Sequence, residues 1–89
     1  MNMEHAQTFR TKDYWVAGAL LATGKKLLRL DWQGKRAFFI FSDHRACQEA
    51  EQAFWTGDLR VPAKGFSDSL RTLKDRIHGD DNGQRSNSE

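Results

Sequence analysis

Lys26-Leu27-Leu28-Arg29-Leu30-Asp31-Trp32-Gln33-Gly34-Lys35-Arg36-Ala37-Phe38-Phe39-Ile40-Phe41 is the stretch on which the fold turns. Its first half alternates, with Leu28, Leu30 and Trp32 on one side and Leu27, Arg29 and Asp31 on the other, and a period of two is that of a strand. Gln33-Gly34-Lys35 supplies the reversal, because glycine reaches positive φ without steric cost. Arg36 to Phe41 returns as a second strand whose Ala37, Phe39 and Phe41 point one way while Phe38 and Ile40 point the other. Both faces of that strand therefore carry large apolar groups.

A two-stranded hairpin is unstable alone, so it needs helices across a face or another strand at an edge. Upstream, Thr11-Lys12-Asp13-Tyr14 reads as a helix start, with Thr11 as the cap and Asp13 favourable in the first turn. This predicts a first helix over about 12–23, with Tyr14, Ala17, Leu20 and Leu21 on its apolar face and Gly24 as its stop. Downstream, Ser42-Asp43 caps a second helix that turns Ala46, Cys47, Ala50, Phe54 and Trp55 inward and ends at Gly57. Pro62 then opens a third, whose Phe66, Leu70, Leu73 and Ile77 recur at helical spacing until Gly79. Gln7 to Arg10 and Leu59 to Val61 are candidate edge strands. The expected class is α+β, a central β-hairpin packed by three helices in the order (β)-α-β-β-α-(β)-α. With both edge strands the order would be the split βαβ plan followed by a helix.

The 89 residues suit one domain. The reading is a flexible N-terminus over 1–8, one domain over 9–78, and a disordered polar tail over 79–89. Asp80 to Glu89 holds no apolar side chain. A single cysteine, Cys47, rules out an intramolecular disulfide and points to a reducing compartment. Met1 to His5 has neither a basic segment nor an apolar core, and Trp15 to Ala22 is too short to span a bilayer. A cytoplasmic protein without a membrane partner is the expectation. The net charge of +2 hides a partition, since Arg10 to Arg36 carries seven basic residues against two acidic ones and the remainder is acidic on balance.

No motif implies a reaction. Asp43, His44 and Cys47 are too few to hold a structural metal, and no orienting acid or oxyanion donor makes Cys47 a nucleophile. Gly24-Lys25-Lys26 follows a helix instead of opening one, which excludes a phosphate loop. No enzyme, cofactor, metal or small-molecule ligand is expected. The aromatic strand does overlap the end of the pattern [K/R]-G-[F/Y]-[G/A]-F-V-x-[F/Y] of RNA-recognition domains, although Arg36 stands where the first exposed aromatic belongs and Gly34 and Lys35 depart from the opening positions.

The chain also resembles a family of small bacterial and phage domains of unknown function. The resemblance is carried by Phe9-x-Thr11-Lys12-Asp13, Ala17, Leu20-Leu21, Gly24-x-Lys26-Leu27, Gly34-Lys35-Arg36, Phe39-x-Phe41, Phe54-Trp55, Val61 and Leu70-x-x-Leu73-Lys74. It spans about residues 9–78, implies no activity, and implies a bacterial, phage or mobile-element setting.

The leading expectation is thus a non-enzymatic module that binds nucleic acid, with Lys25, Lys26, Arg29, Lys35 and Arg36 meeting phosphates and Trp32 or Phe38 stacking on a base. The alternative is a protein-interaction or self-association module, such as a homodimer, that uses the apolar hairpin face or an open sheet edge. Whether Phe38 and Ile40 lie beneath the third helix or stand exposed separates a two-sided core from a site.

Overall fold

The computed structural model describes the backbone of residues 7–87 and the side chains through residue 80; the first residues of the expected flexible N-terminus and the last two of the tail lie outside it. Its elements are β1 (Phe9–Thr11), α1 (Tyr14–Ala22), β2 (Leu27–Gln33), β3 (Arg36–Phe41), α2 (His44–Thr56) and α3 (Ala63–Asn87). The three strands form one antiparallel sheet in the order β1-β3-β2, so the doubly apolar strand sits in the middle. This is the expected α+β class, with β1 as the edge strand.

Leu59 to Val61 does not join the sheet; Leu59 instead packs half-buried against the core, and among the described residues no fourth strand completes the split plan. α1 begins later than expected because Thr11 belongs to β1. Its hydroxyl accepts the Asp13 N–H at 3.1 Å, while Asp13 takes the cap, its Oδ1 accepting from the N–H groups of Trp15 and Val16 at 2.9 and 3.0 Å. Gly24, at φ 92, closes the helix, its N–H donating to the Leu21 carbonyl and that of Lys25 to the Leu20 carbonyl, both at 3.0 Å. α3 does not stop at Gly79, and the tail expected to be disordered continues it to Asn87. The Trp32 indole N–H donates to the Asp80 carboxylate at 2.9 Å and ties this part of the helix to the sheet.

Alternation along β2 is broken by a bulge between Leu27 and Arg29. The extra residue shifts the phase, so Leu27 joins Leu30 and Trp32 toward the core while Leu28 is 39% exposed, the reverse of the expected assignment for those two leucines. The core gathers Phe9, Leu30, Phe39 and Phe41 from the sheet, Val16, Ala17 and Leu20 from α1, Cys47 and Ala50 from α2, and Leu73 from α3. Trp55, expected inward, is 62% exposed.

Every residue of α1 from Val16 to Leu20 is buried, because α2 and α3 both pack on it as well as the sheet. The approach of α3 is set at Gly18, where a Cβ would lie 2.4 Å from Leu70 Cδ2 and 3.4 Å from Phe66 Cε1. Gly18→Val is expected to destabilise by roughly 2 kcal/mol, overpacking outweighing the gain in helix propensity. Gly18→Ala, which recovers about 1 kcal/mol of propensity and can displace the leucine tip, should lose less. Urea unfolding measures both, and a valine variant as stable as the parent would show that the helices do not meet this closely.

Candidate nucleic-acid interface

Sheet register builds this site. Gly34, at φ 63, and Lys35 form a two-residue loop that pairs Gln33 with Arg36, Trp32 with Ala37 and Asp31 with Phe38. On the other side β1 pairs Arg10 with Ile40 and Thr11 with Phe39. Phe39 and Phe41 face the helices, so Phe38, Ile40 and Arg36 project from the opposite, outer face together with Arg10, Arg29 and Asp31. All three helices contribute instead to the core on the Phe39 and Phe41 side.

Neither expectation for Phe38 and Ile40 holds as stated. Ile40 is only 3% exposed, yet what flanks it in register is Arg10 on one strand and Arg29 on the other, not the third helix. Long arginine stems can cover an apolar neighbour while their charged ends stay wet. Phe38 is half-buried, with the Arg10 guanidinium centred 4.0 Å from the middle of its ring. Such a cation over an aromatic face is attractive by about 0.5–1 kcal/mol at an exposed site. Arg29 Nε donates to Asp31 Oδ1 at 3.1 Å, with both side chains about half exposed, so this pair orients more than it stabilises.

Lys35 and Arg36 complete the face at the turn, where with Gln33 and Phe38 they line an open depression of about 630 Å³. The outer face thus brings together Arg10, Arg29, Lys35 and Arg36 with the carboxylate of Asp31 and the ring of Phe38.

Three of the expected site residues lie elsewhere. Lys25 and Lys26 sit at the opposite end of the sheet, the Lys26 carbonyl accepting from the Ser42 N–H at 3.0 Å. Trp32 faces the helices with its indole N–H spent on Asp80, so it does not share a face of the sheet with Phe38. The hairpin register contained that signal, since a two-residue turn pairs Trp32 with Ala37 and places Phe38 on the other face. Arg10, absent from the expected phosphate contacts, is central to the site. Its place required the register of β1, which three residues cannot fix by alternation alone.

No family model, curated protein or solved structure matches this chain.

The Asp43, His44 and Cys47 trio is engaged within the protein. The Asp43 carboxylate accepts from the Ala46 N–H at 3.2 Å, His44 Nδ1 lies 3.1 Å from the Thr8 carbonyl oxygen, and Cys47 Sγ donates to the Ser42 carbonyl at 3.3 Å. Among the described residues, no three histidine, cysteine or acidic side chains converge as metal ligands. Burial pushes the Cys47 thiol up to about 11; the nearby Lys25 charge opposes this and Asp43 adds a little. An unfolded thiol ionises near 9.0, so between pH 9 and 11 the folded state holds a proton that the unfolded state has lost. The stabilisation is complete below pH 9 and is lost on rising to 11, at a slope approaching about 1.4 kcal/mol per unit. Urea midpoints at pH 8, 9 and 10 should fall more steeply for the parent than for Cys47→Ala, and parallel curves would show an accessible thiol.

Among the described residues, no helix is long and apolar enough to cross a membrane.

Proposed function

We propose that this protein is a non-enzymatic module that binds single-stranded nucleic acid on the outer face of its sheet. The observation that carries the proposal is Phe38, a half-buried ring on the sheet face opposite the helix-packed core, roofed by Arg10 and bordered by Arg29, Lys35 and Arg36. A base stacking on Phe38 would take the place of the Arg10 guanidinium, and Arg10 would swing to a neighbouring phosphate. Base–aromatic stacking contributes about 1–3 kcal/mol, more than the cation–π contact it replaces. Bases paired inside a duplex cannot reach the ring, which gives the preference for single strands.

Three to four phosphates neutralised by these cations give a log–log salt slope of roughly −2 to −3. A labelled single-stranded oligonucleotide should therefore lose about 15- to 60-fold in affinity between 50 and 200 mM salt, and a duplex of the same sequence should bind more weakly. Fluorescence anisotropy reads both. Absence of binding at 50 mM salt, or an affinity indifferent to salt, rules the proposal out.

Self-association through the free edge of β2 has less support. The bulge at Leu27/Arg29 and the charged Arg29 and Asp31 lie on that strand, and both devices discourage edge-to-edge pairing.

A further inference from the structure

Around the hairpin turn, on the side toward the helices, lies a second depression of about 250 Å³ whose lining includes Lys12, Lys35 and Arg36 together with Tyr14, Trp32 and Ile77. A third, of about 340 Å³, is lined by Lys12, Asp13 and Arg36. Arg36 borders both of these and the outer depression beside Phe38, so the surface continues around the end of the sheet.

The cations come from three separate places: Lys12 from the β1–α1 junction, Lys35 from the turn, and Arg36 from the first residue of β3. Among the described residues none of the three is in an ion pair. Asp13, the acid at the rim, already has Oδ1 committed to the Trp15 and Val16 N–H groups, and Asp80 accepts from Trp32. Three cations that form no ion pair among the described residues, set beside an apolar wall, favour a ligand with more than one negative charge. An internal phosphodiester carries one, whereas a terminal phosphomonoester carries about 1.5 to 2 near pH 7 and offers three strong acceptor oxygens.

We infer that this depression receives the phosphorylated end of the bound single strand, with Lys12, Lys35 and Arg36 on the phosphate oxygens and the last sugar or base against Tyr14, Trp32 and Ile77. Arg36 presents the planar fork suited to two phosphate oxygens, and the lysines act as point charges. This deepens the single-strand reading and rests on it, and Lys12 distinguishes the two because it takes no part in the outer face.

The test compares one oligonucleotide carrying a 5′-phosphate, a 3′-phosphate or neither, with uridine 5′-monophosphate as the free ester. One phosphorylated form should bind about tenfold tighter than the bare strand, the gain expected of an added charge-assisted contact. Lys12→Ala should abolish that preference while leaving affinity for the bare strand within about twofold, because Lys12 lies off the outer face. Equal binding of all three strands overturns the inference and leaves the single-strand reading standing. Saturable binding of the monophosphate, lost in Lys12→Ala, with no binding of any strand, overturns the single-strand reading and keeps a phosphomonoester site. No binding of strand or monophosphate overturns both.

Discussion

Phe41→Ala should remove about 3–5 kcal/mol of stability, the largest loss expected from any single truncation in this protein. Phe41 is fully buried, sits in the central strand, and pairs with Phe9 on one side and Leu27 on the other. Its ring is among the side chains that bring the sheet and α1 into one core. A chain of 89 residues has roughly 4–13 kcal/mol in total, so the variant should retain only a fraction of that stability. The thermal midpoint should fall by at least about 12 °C, as read by circular dichroism. Phe38→Ala, three positions away on the outer face, should cost only about 1–2 kcal/mol because that ring is half-buried beneath the Arg10 side chain. The ratio tests the register, since a slip of one residue would exchange the two faces of β3. Equal losses, or a larger loss at Phe38, would contradict the fold described above.

Reversing two charges at the turn, Lys35→Glu with Arg36→Glu, should weaken single-strand binding about 100-fold at low salt and flatten the salt slope by about 2. Each reversal removes a phosphate contact and adds a repulsion at the same place, and both residues line the depression that opens beside Phe38. Both side chains are exposed, so the thermal midpoint should hardly move. Arg71→Glu with Lys74→Glu is the control: the net-charge change is the same, but these exposed residues lie on α3, which packs against α1 and the core on the inner side of the sheet. Equal weakening by the two pairs would mean that overall charge, not the outer face, drives binding.

Much of this architecture was legible where local chemistry decides the outcome. Asp43 and Gly57 bound α2 as expected, both in the left-handed region, and Gly34 turns the hairpin. What escaped was decided by tertiary contact. The β2 bulge exchanges Leu27 and Leu28 between faces, and nothing in a run of two leucines marks which one turns inward. Gly79 looks like a stop, but the bond from Trp32 to Asp80 lies just beyond it and the helix runs on. Leu59 to Val61 has strand-forming residues, yet the sheet ends at β1 and β2 without it. The candidate site was half legible for the same reason. Arg29, Lys35, Arg36 and Phe38 share the outer face through the hairpin's own register, whereas Arg10 reaches it only through pairing with a strand about thirty residues away.

The central claim is that a nucleic-acid base meets Phe38 on the sheet face turned away from the helices. The direct measurement is an NMR titration with a short single strand that follows the Phe38 ring protons and the arginine Nε–Hε signals. Expected are upfield movement of the Phe38 ring resonances as a base stacks on it, with concurrent shifts at Arg10, Arg29 and Arg36 and none at the Trp15 indole across the molecule. A saturating titration that leaves Phe38 and Arg10 unmoved, or that moves only residues on the helical side, would contradict it.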